Sequence, residues 1–159
     1  MANYSRERAF TQSKIFSANL NSLDGINNFI RQMCNKAGLN ENKSYSVLVS
    51  TSEACSNIIE HAYLSEETGT IECTCQVTPN QLKVILHDKG VSFDPSSVLP
   101  PDTSTSLENR KAGGLGVYFI RELMDEVAYH VTNAEQAHSS GEDEGNYLIL
   151  SISRDLKDE

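Results

Sequence analysis

The strongest constraint on the fold is an alternation of apolar and polar residues between positions 71 and 86. In its first half the apolar members are Ile71, Cys73, Cys75 and Val77. A segment with proline, Thr78-Pro79-Asn80-Gln81, follows, and the alternation resumes in Leu82, Val84 and Leu86. A period of two puts alternate side chains on opposite faces of a strand, and a short proline turn joins antiparallel neighbours. The stretch therefore predicts an antiparallel hairpin with one buried face.

Two stretches with helical periodicity precede the hairpin. Apolar residues recur every three or four positions over residues 23–36, with Asn21 or Ser22 as a cap before them and Gly38 as a terminator after them. A longer helix is predicted to begin at an asparagine, position 40 or 42, and to run to about residue 63. Both helices carry an apolar stripe that would pack on a core.

The rest of the chain supplies further strands, another helix and two loops. Strands are predicted at residues 14–20, 127–131 and 147–153, and a helix at residues 117–125. Residues 91–114 have no period and form a long polar loop, which in a compact domain usually moves over a site or is disordered. Residues 133–145, with Glu142-Asp143-Glu144, are predicted to be an acidic, solvated surface loop.

These elements predict an α+β fold. Helices on one face of a mixed, mostly antiparallel sheet give a two-layer sandwich. We expect all residues 1–159 to form a single domain, with tails at 1–12 and 155–159.

Charge and composition narrow the range of partners. The net charge of −9 argues against direct binding of nucleic acid, because phosphate contacts need clusters of lysine and arginine. No apolar run approaches the roughly 18 residues of a membrane span, and the first residues lack the apolar centre of a secretory signal. The four cysteines lack a metal-ligand pattern and are expected to be reduced thiols. We therefore expect a cytoplasmic protein that binds neither nucleic acid nor membrane.

The long helix carries the first candidate functional residues. Glu53, Asn57 and His61 are spaced at i, i+4 and i+8, which drifts by only about 40° per step around an α-helix, so they form one polar stripe. The amide oxygen of Asn57 suits Mg²⁺, and Glu53, one turn away, is placed to act as a general base. His61 is expected to be a surface or supporting residue. The alternative for the whole stripe is the solvated face of an amphipathic helix.

The second candidate lies where the hairpin ends, in Asp88-x-Gly90-x-Ser92-Phe93. A carboxylate at a strand terminus can accept a hydrogen bond from the exocyclic amine of adenine, and Gly90 leaves room for a flat ring. The alternative is an ordinary turn, in which aspartate is favoured for local hydrogen bonding.

Glycines ahead of the third helix form the third candidate. Gly113-Gly114-Leu115-Gly116 offers free backbone N–H groups and the positive end of a helix dipole, and Arg110 and Lys111 add positive charge upstream. The segment is not a Walker loop, because no Gly-Lys-Ser/Thr follows, and no strand runs directly into it as in a dinucleotide fingerprint. The alternative is a flexible loop that leads into a helix.

Taken together and in this order, the three motifs resemble the GHKL ATPase superfamily, whose nucleotide site has the Bergerat fold. The stripe is similar to its N box, Asp88-Lys89-Gly90 to its first glycine box and Gly114-Leu115-Gly116 to its second. Within the superfamily, the small bacterial anti-sigma-factor serine kinases are the most similar group, on Glu53-Ala54-x-x-Asn57, Gly113-Gly114-Leu115-Gly116-Val117 and Leu123-Met124-Asp125-Glu126-Val127. The resemblance covers about residues 16–152.

The resemblance implies a site for ATP and magnesium. It implies Asn57 as the magnesium ligand, Glu53 as the catalytic base and Asp88 as the adenine acceptor. An ATP lid is implied at residues 94–113, although its prolines and the acidic segment 142–144 match no pattern of the family. The residues implied in nucleotide binding are Asn57, Asp88, Gly90, Phe93, Arg110, Gly113, Gly114, Leu115 and Gly116.

The same resemblance implies an anti-sigma factor with serine/threonine-protein kinase activity. Such a protein binds a sigma factor and phosphorylates a small anti-anti-sigma protein. The resemblance also implies a homodimer, formed through an exposed edge strand. Two alternatives stay open: an ATP-binding interaction module without kinase activity, and a histidine-kinase-like catalytic domain that acts in trans.

Overall fold

The computed structural model describes residues 9–63, 69–92 and 114–154, except for the side chains of residues 114–118. Within these ranges the strands are Phe10–Ser17 (β1), Thr70–Val77 (β2), Gln81–Asp88 (β3), Glu126–Thr132 (β4) and Gly145–Ser153 (β5). The α-helices are Leu23–Ala37 (α1), Glu41–Asn57 (α2), Gly114–Leu123 (α3) and Ala134–Ser140 (α4). A 3₁₀ turn at Leu20–Ser22 precedes α1, and a π turn at Ile58–Ala62 follows α2.

The five strands form one antiparallel sheet with the spatial order β1-β2-β3-β5-β4. The β2–β3 hairpin and the β4–β5 pair meet at the centre, where β3 pairs with β5. In that ladder Asp88 lies opposite Asn146, and on its other side Asp88 lies opposite Ile71. The register therefore brings the end of β3 and the start of β5 side by side at one end of the sheet.

The helices cover one face of the sheet, and the core lies between the two layers. Alternate side chains of the central strands pack against α1 and α2. The largest fully buried apolar side chains include Ile26, Ile30, Met33, Ile71, Leu82, Leu86 and Leu150. Burial of each such side chain is worth about 1.5–3 kcal/mol. The predicted hairpin and the two-layer α+β architecture are confirmed, and within the described ranges the sheet is entirely antiparallel.

The cysteines lie within this core. All four are free thiols, and all four are fully buried. Burial raises the pKa of Cys34 to about 11, so its thiol stays protonated at neutral pH. The four cysteines pack as small apolar side chains, as predicted.

Local sequence sets the junction between α1 and α2. Gly38 ends α1 with a φ of 69°, a left-handed conformation that favours glycine. Asn40 caps α2, because its Oδ1 accepts a hydrogen bond from the Lys43 N–H at 2.8 Å. Ser22 occupies the N-cap position of α1, but its side chain makes no capping hydrogen bond.

Three sequence predictions of element bounds are wrong. β1 begins at Phe10 and ends at Ser17, because each of its residues pairs with β2. α3 begins at Gly114, so Gly114 and Gly116 form its first turn and do not precede it. The predicted acidic loop contains α4, which has a capping box: Asn133 Oδ1 accepts from the Gln136 N–H, and Gln136 Oε1 accepts from the Asn133 N–H.

The long second helix also differs from its prediction. Its α-helical part stops at Asn57, and the chain continues in the π turn to Ala62. The end of this turn is bonded to the segment that follows β3, since the Val91 N–H donates to the Ala62 carbonyl at 2.7 Å. A contact with a residue so distant in sequence leaves no trace in helical periodicity. π turns are rare and occur frequently at functional sites.

The acidic segment after α4 is partly bonded to the sheet. Glu142 Oε1 accepts hydrogen bonds from His130 Nε2 at 2.7 Å and Thr132 Oγ1 at 3.0 Å, and the bond from His130 lowers the pKa of Glu142. Tyr147 stacks on His130 with ring centroids 4.9 Å apart and on His87 with centroids 4.3 Å apart. Asp143 and Glu144 are exposed, as expected of a solvated loop.

Arg154 ties the helical layer to the sheet. Its side chain is buried, with Nε donating to the Ala37 carbonyl at 2.9 Å and Nη1 donating to the Thr78 carbonyl at 2.8 Å. Ala37 is the last residue of α1, where carbonyls lack helical partners and the dipole is negative. One cation therefore holds the end of α1 against the β2–β3 turn.

Replacement of Arg154 is expected to destabilise the fold. Arg154→Ala should lower the free energy of unfolding by about 2–3 kcal/mol, because two carbonyls lose a charged donor. Urea denaturation measures the loss. The control is Arg31→Ala, since Arg31 is an exposed arginine of α1 whose Nη1 bonds to Asn28 at 3.3 Å. A change within about 0.5 kcal/mol is expected there. An equal loss in both variants would contradict the role of Arg154.

Candidate functional site

A recess lies between the two layers at the end of the sheet where β3 stops. Its walls come from α2, the π turn, α3 and the adjoining ends of the strands. The lining residues are Ala54, Asn57, Ile58, Ala62, Asp88, Val91, Ile120, Tyr129, Asn146 and Leu148. Most of them are apolar, and a few convergent polar groups in an apolar cavity are typical of a small-molecule site.

Asp88 is the buried charge of this recess. It is the last residue of β3 and is only 6% exposed. Its Oδ1 accepts two hydrogen bonds, from Asn146 Nδ2 at 2.9 Å and from the Gly90 N–H at 2.9 Å. Burial raises the pKa of Asp88 above its ordinary value, and these two hydrogen bonds oppose that rise. Because both of the bonds that Asp88 accepts from the described residues end on Oδ1, Oδ2 is the acceptor they leave for a ligand.

Asn146 holds Asp88 in place, and the sequence analysis missed it. Its Nδ2 donates both to Asp88 and to the Gly90 carbonyl at 2.9 Å, while its Oδ1 accepts from Ser92 Oγ at 2.6 Å. All the hydrogen-bonding capacity of the amide nitrogen is therefore used within the protein. In the sequence Asn146 is one polar residue beside an acidic segment. Only the β3–β5 register reveals that it faces Asp88.

Position 90 requires glycine because Ala62 lies directly against its backbone. A Cβ at this position would lie 2.4 Å from the Ala62 carbonyl oxygen and 2.7 Å from the Ala62 Cβ. No side chain fits there without displacing the π turn. The predicted reason for this glycine was space for a flat ring, whereas in the structure the space beside it is filled by Ala62.

The three residues of the helical stripe do not lie in one environment. Asn57 lines the recess, whereas Glu53 and His61 are exposed and are not among its lining residues. His61 Nε2 lies 3.8 Å from Glu60 Oε2 at the surface. Because the π turn begins directly after Asn57, the α-helical spacing that would align His61 with the other two does not apply.

The glycine motif is described in part. Gly114, Leu115 and Gly116 form the first turn of α3, and Ile120 of the same helix lines the recess. The first N–H groups of a helix have no intrahelical partner and carry the positive end of its dipole. The predicted residues Phe93, Arg110 and Gly113, like the predicted lid at 94–113, lie outside the described residues.

The fold and the recess together define a domain of the class that binds a small molecule. The chain is a two-layer α+β domain with a mostly apolar recess, which contains one buried carboxylate and two amide side chains. Among the described residues, no helix has the length and apolar character needed to cross a membrane.

Comparisons with known proteins identify the family. A family model described as "Histidine kinase-like ATPase domain" matches residues 16–151. The serine-protein kinase RsbW of Bacillus cereus (strain AH820) is 36% identical over 99 residues, which are 60% of this chain and 61% of the relative. RsbW of Bacillus thuringiensis (strain Al Hakam) is 35% identical over the same shares of the two chains.

A solved structure agrees at the level of the fold. The RsbU and RsbW domains of a Mycobacterium tuberculosis protein match with a TM-score of 0.59 and 13% identity, over 91% of this chain and 32% of that one. The chain belongs to the histidine kinase-like ATPase domain family, and the predicted membership of the GHKL superfamily is confirmed. It spans about three fifths of the length of the curated relatives it matches.

Loss of the Asn146 amide is expected to raise the pKa of Asp88 further. In Asn146→Ala the buried carboxylate loses a hydrogen bond that favours its charged form, so protonation becomes easier. Carbon-13 NMR of the Asp88 carboxyl group across a pH titration measures the change. The control is Asn28→Ala, an exposed asparagine of α1. An unchanged or lowered pKa in Asn146→Ala would contradict the role given to this amide.

Proposed function

We propose that the protein binds Mg-ATP in the recess and transfers the γ-phosphoryl group to a serine or threonine of a partner protein. The observation that carries the proposal is that Asn57, Asp88 and Asn146, from three separate segments, line one recess. Membership of an ATPase domain family supports ATP as the nucleotide. The name of the relatives, serine-protein kinase, supports a hydroxyl as the acceptor.

Asp88 would select adenine. Its Oδ2 is the free acceptor at the polar end of the recess, and the exocyclic amine of adenine is a donor that matches it. Guanine carries a carbonyl oxygen at the equivalent position, which a carboxylate would repel. The apolar side chains of Ile58, Ile120 and Leu148 would enclose the ring and exclude water.

Asn57 would bind magnesium through its amide oxygen, a hard ligand of the type this ion prefers. Bound magnesium supplies charge neutralisation for the phosphates. Among the described residues no three histidine, cysteine, aspartate or glutamate side chains lie together as a metal cluster. Magnesium usually keeps several waters and binds few protein ligands together with substrate phosphates, and one amide would be the protein's part of such a set. The N-terminal turn of α3, from Gly114, would supply backbone donors for phosphate.

Glu53 would be the general base. It lies one helical turn before Asn57 and is exposed, which suits a base that must reach a hydroxyl on a second protein. Since Glu53 does not line the recess, the acceptor hydroxyl would approach from outside it. Removal of that proton and positioning of the two reactants are the contributions this chain would make to transfer.

The partners would be a sigma factor and a small anti-anti-sigma protein, in the cytoplasm. This part of the proposal follows from the similarity to the RsbW proteins. A homodimer would use an edge of the sheet, and β1 and β4 are the two edge strands.

A module that binds ATP without transfer is the second candidate function. The observation that favours it is the position of Glu53 outside the lining of the recess. In such a module the nucleotide would only set the affinity for a partner protein.

Mg-ATP binding is expected to depend on the charge of Asp88. Asp88→Asn should weaken binding about tenfold to hundredfold, the effect of losing a hydrogen bond to a charged group. Titration calorimetry measures this, with Asp24→Asn as the control because Asp24 is an exposed aspartate of α1. An equal affinity for GTP, or full affinity in Asp88→Asn, would contradict the assignment of Asp88.

The same carboxylate is expected to make binding sensitive to acid. Because burial raises the pKa of Asp88, acidification protonates it at a pH above the ordinary aspartate range, and affinity falls as the pH drops through that value. Comparison with Asp88→Asn over the same pH range cancels the protonation of the triphosphate itself. A pH dependence that is identical in the two proteins would contradict this prediction.

Glu53→Ala is expected to separate binding from transfer. The affinity for Mg-ATP should stay within about twofold, while formation of phosphoserine on an acceptor protein should fall by about 10²–10⁴. The control is Glu41→Ala, an exposed glutamate at the other end of α2. Unchanged turnover in Glu53→Ala would contradict its role as base. ATP binding without any phosphoserine in the unmodified protein would favour the second candidate, and acid-labile phosphohistidine would indicate the trans-acting alternative.

A further inference from the structure

The β2–β3 ladder is interrupted at its last step by a side chain. Its final pair is Ile71 with Asp88, and Thr70 and Lys89 stand next in the same register. The hydroxyl of Tyr63 bridges these two residues: it donates to the Thr70 carbonyl at 2.7 Å and accepts from the Lys89 N–H at 3.0 Å. The hydroxyl therefore occupies the position at which the next backbone hydrogen bond of the ladder would form.

The backbone makes room for the ring of Tyr63. A Cβ at Gly69 would lie 2.2 Å from the nearest ring atoms, so glycine alone permits the ring to lie there. Gly69 is also fixed to β1, because its carbonyl accepts from the Ala18 N–H at 2.8 Å. The ring thus lies against a backbone segment that is bonded to β1.

Beyond the open step, the segment that follows β3 no longer pairs with β2 and contacts the π turn instead. The Val91 N–H donates to the Ala62 carbonyl at 2.7 Å, and Gly90 lies against the same residue. Two adjacent residues, Ala62 and Tyr63, therefore hold the segment that follows Asp88. These contacts of Ala62 and Tyr63 with Thr70, Lys89 and Val91 are called the Tyr63 joint below.

The joint connects the two chain segments that carry Asn57 and Asp88, which are called the two ends of the recess below. Asn57 directly precedes the π turn that ends at the joint, and Asp88 directly precedes Lys89. Tyr63 itself is not among the residues that line the recess. It can affect a ligand only through the residues that it holds.

We propose that Tyr63 is a positioning residue for nucleotide binding, whose hydroxyl keeps the ladder open and so sets the spacing between Asn57 and Asp88. The inference rests on the proposed function, because that spacing matters for a ligand that reaches both residues.

The effect of losing the hydroxyl follows from backbone hydrogen bonding. The Lys89 N–H and the Thr70 carbonyl would each lack a partner, and in the register of the ladder each is the partner of the other. Closing that step draws Lys89 towards β2 and pulls Val91 away from Ala62. A ligand that contacts only Asp88 moves with it, whereas a ligand that also reaches Asn57 loses alignment at one end.

Tyr63→Phe, which removes only the hydroxyl, tests the proposal in the full chain. Titration calorimetry compares Mg-ATP, which would reach both ends, with adenosine, which would reach the Asp88 end. We expect Mg-ATP to bind about fivefold to tenfold more weakly and adenosine to change by less than about twofold. The matched control is Tyr147→Phe, because the Tyr147 hydroxyl also donates to a carbonyl, that of Asp143, at 2.8 Å. Its affinities for both ligands should equal those of the unmodified protein.

Two results would overturn the inference while the proposed function stands. One is an unchanged affinity of Tyr63→Phe for Mg-ATP. The other is an equal loss of affinity for both ligands, which would mark a general destabilisation and not a change of spacing. If the unmodified protein fails to bind Mg-ATP, the proposed function fails, and the inference fails with it.

Discussion

The hydrogen bond from the Asn146 amide to the Asp88 carboxylate holds a negative charge inside a mostly apolar recess. An isolated carboxylate in such a place would be strongly disfavoured, because water cannot solvate it. Asn146 and the Gly90 N–H replace that solvation on one oxygen and leave the other for a ligand. The chemistry proposed for the site depends on this partial satisfaction, since a fully bonded carboxylate would have no acceptor to offer.

The sheet topology makes this contact possible. Because β5 lies between β3 and β4, the first residues of β5 stand beside the last residues of β3, although they are far apart in the chain. The π turn then approaches from the helical layer and contacts the segment after Asp88 through Ala62 and Val91. The recess is thus bounded by both layers.

Much of the fold could be predicted because its determinants are local. The alternation from Ile71 to Leu86 requires only neighbouring residues, and the end of α1 and the start of α2 follow from Gly38 and Asn40. α4 was missed because a seven-residue helix with no buried residue leaves no apolar period. The π turn was missed because nothing in its own sequence indicates it. Its last residue, Ala62, and the next residue, Tyr63, bond to Val91 and Lys89, which are distant in the chain.

The residues of the site also differ in whether a local motif or only the folded structure reveals them. Asn57 and Asp88 belong to short motifs, so the sequence indicated them, and the structure brings both to one recess. Asn146 belongs to no motif and acquires its role from strand register, which a single sequence does not specify. For Gly90 the residue was singled out but the reason was not, because the neighbour that excludes a side chain is the backbone of Ala62.

The central claim is that Asn57, Asp88 and Asn146 surround one bound nucleotide. An NMR titration with Mg-ATP that follows the side-chain amides of Asn57 and Asn146, together with the backbone amide of Leu148, tests it most directly. All three signals are predicted to shift along one binding curve, while Ile15 of the edge strand β1 stays unchanged. Separate binding curves for Asn57 and Asn146, or shifts that spare both, would contradict the claim.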